Sequence, residues 1–188
     1  MKNFCVVVLL MMPVCARAQS IQVYFSPNGG CQEAVIKEIG QATQTIDIAM
    51  YYLSSAGIAK ALVEAREHHV KIKIVLDQGQ EIEHSSKATY LIDHGFEIRY
   101  HLGFGLMHNK FAVIDGQRLI TGSFNWTRTA EESNEENLLI IDDAATVARY
   151  AQRFNYLWDT SRRDSRNATG PQAVPSWLCA NFHLFCSN

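Results

Sequence analysis

An imidazole, an ammonium, two hydroxyls and a carboxamide crowd the stretch that runs from His108 through Lys110, Thr121 and Ser123 to Asn125. Cleaving a phosphate ester uses that set: a neutral imidazole can attack phosphorus, while ammonium and amide donors stabilise charge on the non-bridging oxygens. Between them, Asp115-Gly116 parts two apolar runs and is the dipeptide a type I′ turn prefers, because both central residues take positive φ. A hairpin is predicted. With a two-residue loop Ile114 pairs with Gln117, which sets Lys110 opposite Thr121 and His108 opposite Ser123. Side chains alternate along a strand, so His108, Lys110, Thr121, Ser123 and Asn125 are expected on one face. Buried polar groups without partners cost roughly 1–3 kcal/mol each, so that face reads as a site and not as core. Asp115 stands five residues beyond Lys110, about 16 Å away at about 3.3 Å per residue, too far to share a phosphate with it. It is assigned to the turn, and Asp115→Asn is expected to keep most activity.

The spacing His-x-Lys, four residues, Asp, six residues, Gly-Ser-x-Asn, carried here by His108, Lys110, Asp115, Gly122, Ser123 and Asn125, resembles the HKD signature of the phospholipase D superfamily. Asn134-Glu135-Glu136-Asn137 is similar to the Asn-x-Glu-Asn segment that follows the motif in the small Nuc-type endonucleases of that superfamily. Ile46 to Tyr51 resembles the strand that leads into the same site. The similarity runs from about Ile21 to Trp158 and implies a roster of roles. His108 would be the nucleophile of a phosphohistidine intermediate, with Lys110 and Asn125 on the phosphate oxygens. Ser123 would touch phosphate or histidine, Gly122 would let the backbone come close, and Glu136 would hold the second ring nitrogen and fix the tautomer. One histidine cannot easily serve both as nucleophile and as leaving-group acid, and only one motif copy is present. The resemblance therefore implies a symmetric homodimer in which His108 of one subunit attacks and His108 of the other protonates the leaving group. Ser123 has no base and carboxylate around it that would make it the nucleophile.

The elements that must position these groups alternate between strand-like and helix-like patterns. Strands are predicted at Ile21 to Phe25, Thr45 to Tyr52, Val70 to Leu76, Glu97 to Tyr100 and Asn137 to Asp142, besides the hairpin. Helices are predicted at Cys31 to Ala42, Ile58 to His68, Ser86 to His94 and Ala144 to Trp158. The expected fold is a single α/β domain, a mixed β-sheet flanked by helices on both faces, since the hairpin keeps the sheet from being wholly parallel. Residues 161–188 read as a linker followed by an aromatic, cysteine-bearing tail that docks back on the domain, leaving 19–160 as the catalytic domain.

Residues 1–18 have the order of a secretory signal peptide, with Lys2, an apolar stretch from Phe4 to Val14 and Ala16-Arg17-Ala18 before the cut. Phe4 to Val14 is 11 residues, against the ~20 needed to span a bilayer. A secreted or periplasmic location follows as an expectation. Without residues 1–18 the 17 basic residues fall to 15 against 19 acidic ones, net −4, so the chain is no broadly basic coat for nucleic acid. Any polyanion must be held by a local patch. Of the five cysteines, Cys179 and Cys186 are the natural pair, and Cys31 is either a buried thiol or the partner of a tail cysteine. The Asn125 and Asn167 sequons are read as chance. His68, His69, His84, His94, His101 and His183 lack the accompanying lysine and asparagine and are read as surface residues on helix ends or loops. No cofactor is expected, and no Asp or Glu cluster has divalent-metal spacing; activity should survive EDTA. The leading function is a sequence-nonspecific endonuclease on DNA or RNA. The alternatives are a phospholipase D acting on a phospholipid such as phosphatidylcholine and a non-catalytic binder of nucleic acid or lipid.

Overall fold

Near-continuous apolar runs such as Ile46-Asp47-Ile48-Ala49-Met50 and Ile72-Lys73-Ile74-Val75-Leu76 suit strands covered on both faces, and that is how they are used. The computed structural model describes residues 20–164. In chain order these form β1 (Ile21–Ser26), α1 (Cys31–Gly40), β2 (Thr45–Met50), α2 (Ala56–Glu67), β3 (Lys71–Leu76), a 3₁₀ turn (Gln78–Glu81), α3 (Ala88–Asp93) and β4 (Glu97–His101). The hairpin strands β5 (Lys110–Ile114) and β6 (Arg118–Gly122) follow, then α4 (Arg128–Glu132), β7 (Glu136–Ile141), α5 (Ala144–Thr160) and β8 (Ser161–Arg163). The eight strands make one sheet in the order β1-β7-β6-β5-β2-β3-β4-β8. Only β2 with β3 and β3 with β4 are parallel pairs, so the sheet is mixed as expected.

Strand alternation sorts the core into two layers. Ile46, Ile48, Met50, Ile74, Leu76, Ile98, Ala112, Ile114 and Ile120 pack with Val35 and Ile39 of α1, Ile58 and Leu62 of α2 and Leu91 of α3. On the other face Ala49, Val75, Phe111, Val113 and Leu119 meet Val147, Phe154, Leu157 and Trp158 of α5. Each fully buried Val, Leu, Ile, Met or Phe among them contributes about 1.5–3 kcal/mol against conformational entropy. The helices start on side-chain caps where the sequence supplies them: Ser55 Oγ accepts from Ile58 N and Asp143 Oδ2 from Thr146 N. Helices on both faces of a mixed sheet are the predicted architecture, with strand boundaries displaced by a residue or two.

Two segments depart from the sequence reading. The polar run at Ser161 to Arg163, predicted as the start of the linker, is an edge strand paired antiparallel with β4. An edge strand needs partners on one side only and tolerates charge, and here Arg162 Nη2 reaches Glu81 Oε2 at 2.5 Å and Arg163 reaches Glu97 at 2.9 Å. His101 closes β4 half-buried instead of lying in a loop, its Nδ1 accepting from Gly103 N at 3.3 Å. None of the described helices is long and apolar enough to cross a membrane. The predicted signal peptide, the tail cysteines Cys179 and Cys186, His183 and the Asn167 sequon lie outside the described residues. Cys31 is a free, fully buried thiol whose pKa is pushed up to about 11 by burial and by the carboxylates of Glu131, Glu33 and Glu136. It stays protonated at neutral pH and is not poised to react.

Candidate functional site

The turn forms with the predicted chemistry but a different register. Asp115 (φ 53°) and Gly116 (φ 62°) both take positive φ, and Gln117 N donates to Ile114 O at 2.9 Å, as in a type I′ turn. Ile114 nevertheless pairs with Arg118, and Phe111 with Thr121. Gln117 is thus one extra residue on the β6 side, and a one-residue slip reverses which side chains share a face. Thr121 consequently joins Phe111 on the α5 side, where its hydroxyl donates to Tyr150 Oη at 3.4 Å. It does not share a face with Lys110. The polar residue expected opposite Lys110 is replaced by the end of β6, where Gly122 turns through φ 149°. A Cβ at Gly122 would stand 2.2 Å from Asn137 O, so only glycine lets β6 press this closely on β7 at the rim of the site.

Asp115 does more than occupy the turn. Its Oδ2 accepts from Thr43 N and Thr43 Oγ1 at 2.9 Å each, and its Oδ1 from Gln44 N at 2.8 Å and Thr45 N at 2.9 Å. The carboxylate thereby clamps the loop that feeds β2. Burial alone pushes its pKa up, but the amides of Thr45, Thr43 and Gln44 outweigh that and hold the carboxyl below its ordinary value. Asp115→Asn would set an NH2 group against two of these donors, for an expected loss of about 2 kcal/mol with kcat largely preserved in the folded protein. A carboxyl with a depressed folded pKa stabilises above its unfolded value of about 3.9, and that contribution is lost as pH falls through the lower folded value. The stability gap between wild type and Asp115→Asn should therefore be full at neutral pH and close in that acid window, as read by denaturant midpoints across pH.

The chemistry-bearing side chains gather at the end of the sheet where β2 and β6 finish and β5 and β7 begin. His108 is exposed just before β5, and its ring lies 4.4 Å from that of Tyr51, the residue after β2. Lys110, the first residue of β5, sits opposite Met50, with Nζ 4.9 Å from the centre of the Tyr51 ring and donating to His108 O at 3.1 Å. Burial lowers the Lys110 pKa and the Glu136 carboxylate opposes that shift, which places Glu136 in the electrostatic field of the same site. Glu136 opens β7 opposite Ser26 and accepts from Asn134 Nδ2 at 3.1 Å. Among the hydrogen bonds of the described residues none joins Glu136 to His108, so the predicted imidazole contact is not made in this single chain. Ser123 Oγ accepts from Asn137 N at 3.0 Å, splinting the exit of β6 to β7 and leaving its own proton free to donate.

Asn125 reaches this end through Trp126. Leu53 and Trp126 form a parallel bridge, Trp126 N donates to Tyr52 O, and Ser54 N and Ser55 N both donate to Trp126 O. These bonds stitch the strand after β6 to the strand after β2. The Oδ1 of Asn125 is buried without a hydrogen-bond partner, a state that costs about 1–3 kcal/mol and marks a group waiting for a ligand or for a half-turn that brings Nδ2 into its place. The sequon at Asn125 lies on buried Trp126 and Thr127, and Thr127 Oγ1 already caps α4 by accepting from Ala130 N at 3.0 Å.

Two residues beside the candidate site, Tyr51 and Asp77, and one that holds the start of α1, Glu131, escaped sequence reasoning. Tyr51, in sequence merely the end of an apolar strand, is the platform for both His108 and Lys110. Asp77, 4% exposed, accepts from Gly79 N with Oδ1 and from Met107 N with Oδ2, and so anchors the backbone next to His108. Glu131, a buried acid in α4, accepts from Gly30 N at 3.3 Å and Gln32 N at 2.8 Å and answers the open amides of α1. Sequence signals for them were weak: an aromatic closing an apolar run, and an acid directly after one. Among the described residues no three His, Cys, Asp or Glu side chains group so as to hold a metal ion.

The fold is thus a mixed α/β sandwich with a histidine, a lysine, an asparagine and a glutamate gathered at one end of its sheet. Residues 35–158 match the family model described as cardiolipin synthase, PLD-like domain, and the chain belongs to that family within the phospholipase D superfamily. The mitochondrial cardiolipin hydrolase of Chlamydomonas reinhardtii is 35% identical over 121 residues, 64% of this chain and 54% of that protein, so the chain spans about half the length of that relative. A phospholipase D of Rickettsia prowazekii is 31% identical over 149 residues, 79% of this chain and 70% of that one. The crystal structure of Nuc, a phospholipase D family member from Salmonella typhimurium, superposes with a TM-score of 0.74 at 30% identity, covering 78% of this chain and 99% of that chain.

Proposed function

We propose that this protein is a metal-independent phosphodiesterase, secreted or periplasmic, that cleaves nucleic acid without sequence preference through a phosphohistidine on His108. The observation that carries the reading is the exposed His108 ring tilted against the Tyr51 ring at 4.4 Å, with the Lys110 ammonium donating to the His108 carbonyl at 3.1 Å. A nucleophile open to solvent beside a half-buried cation is what an in-line attack on a phosphodiester needs. Lys110 and the Asn125 amide bind the non-bridging oxygens, Ser123 donates its hydroxyl proton to the phosphate, and Glu136 orients the histidine once the site is complete. Completion needs a second copy of the chain, because His108 of the partner subunit supplies the proton for the leaving oxygen. The near-complete coverage of Nuc by this single-motif chain supports the nuclease branch.

A second reading, phospholipid hydrolysis, is favoured by the exposed Leu102 and Leu106 in the loop that leads into His108, 50% and 62% exposed. The names of the cardiolipin hydrolase and phospholipase D relatives point the same way. Purified protein in EDTA, given single-stranded DNA, duplex DNA, RNA and phosphatidylcholine vesicles with His108→Ala as control, separates the readings. Nucleic-acid cleavage that persists in EDTA is expected. Hydrolysis of lipid alone supports the second reading, binding without turnover supports a non-catalytic protein, and loss of activity in EDTA contradicts metal independence.

A further inference from the structure

An acidic chain that handles a polyanion needs a local basic patch, and one lies beside the site on the opposite face of the sheet. A cavity of about 360 Å³ is lined by Asn109, Thr146, Arg149, Tyr150 and Arg153. Asn109 is the residue between His108 and Lys110, so this cavity and the candidate site share a stretch of backbone. Arg149 and Arg153 are one helical turn apart on α5 and therefore project side by side. Both are exposed, and neither forms an ion pair among the described residues, whereas Arg99, Arg118, Arg128, Arg162 and Arg163 all do. No acidic side chain lines the cavity. Its wall is braced: the Tyr150 ring meets Phe111 edge-on at 5.0 Å, Tyr150 Oη accepts from Thr121, and the Arg153 guanidinium lies 5.0 Å from the centre of the Tyr156 ring.

Like charges one turn apart on a helix destabilise it slightly, and two guanidinium forks without acidic partners match phosphate oxygens in geometry and charge. We infer that this α5 groove is a second phosphate subsite, one that holds the sugar-phosphate backbone of a nucleic-acid strand beyond the phosphate being cleaved at His108. Tyr150 and Asn109 supply the remaining polar contacts. The inference rests on the nuclease reading and adds to it the track along which the strand leaves the site.

The test compares wild type with the Arg149→Ala/Arg153→Ala double variant on two substrates, a single-stranded DNA oligonucleotide and the single-phosphate diester bis(p-nitrophenyl) phosphate. The oligonucleotide KM should rise about tenfold near 0.1 M salt, and the slope of log kcat/KM against log salt should flatten by about 1.4, or about 0.7 for each lost phosphate contact on a single strand. The kcat/KM for the small diester should not change, which also shows that the variant is folded. Arg149→Lys/Arg153→Lys should keep the salt slope. An unchanged oligonucleotide KM and slope in an active nuclease would overturn the groove alone, as would an equal fall on both substrates. Oligonucleotide binding to His108→Ala, with and without the arginine changes, reads the groove without turnover: weaker binding supports it and equal binding overturns it. A wild type that hydrolyses the diester and phosphatidylcholine vesicles but neither cleaves nor binds DNA overturns the nuclease reading, and the inference with it.

Discussion

His108→Ala is expected to lower kcat by at least about 10⁴-fold, the scale seen when a nucleophile is removed from a unit of residues that act together. The fold should not notice. The side chain is exposed, and its described ring contact is with Tyr51, so no core packing is lost. Matched thermal midpoints with activity at background is the predicted pair of readings. The same variant probes the proposed dimer, in which one site uses an imidazole from each subunit. When wild type is mixed with excess His108→Ala and allowed to exchange subunits, total activity should fall with the square of the wild-type fraction. A fall in simple proportion, or full activity in a monomer by sedimentation, contradicts the shared site.

Lys110→Met should cost about 10² to 10³ in kcat, as expected for one preorganised charge on the transition state. Its half-buried position gives the opposite sign for stability. Burial already disfavours the ammonium, so a methionine of similar length removes a desolvation cost while keeping the packing against Tyr51, and the denaturant midpoint should hold or rise. Activity and stability moving apart in this way identifies a functional lysine, whereas a structural one would lose both. Lys110→Arg should recover only part of kcat, because the planar fork does not place its charge where the ammonium stands.

How much of this was legible beforehand depends on the range over which each residue acts. The apolar runs of β2 and β3 and the amphipathic α5 are local patterns, and they declared the strands, the helices and the two-faced sandwich. Asp115-Gly116 likewise declared its turn type. The dipeptide says nothing about Gln117, whose insertion moved Thr121 to the α5 face, since the register is decided by how β6 meets β7 and how Gly122 meets Asn137. Asp115 looked like a turn residue because its four donors lie at Thr43 to Thr45, about seventy residues away in sequence and adjacent only in the fold. Tyr51, Asp77 and Glu131 were missed for the same reason, each meeting its partner across elements. The histidine, lysine, asparagine and glutamate were proposed from type and spacing, and the fold sets them at one end of the sheet. The imidazole to Glu136 contact is not formed in the single chain, as a site completed by a second subunit would allow.

The covalent step proposed at His108 has a stereochemical signature. Two successive in-line displacements, first by the imidazole and then by water, invert the phosphorus twice, whereas a direct attack by water inverts it once. Hydrolysis of a chiral phosphorothioate diester in EDTA and in water enriched in heavy oxygen, which makes the product monoester stereogenic at phosphorus, should therefore proceed with overall retention, and the product configuration read by phosphorus NMR decides the matter; overall inversion would contradict a phosphohistidine intermediate.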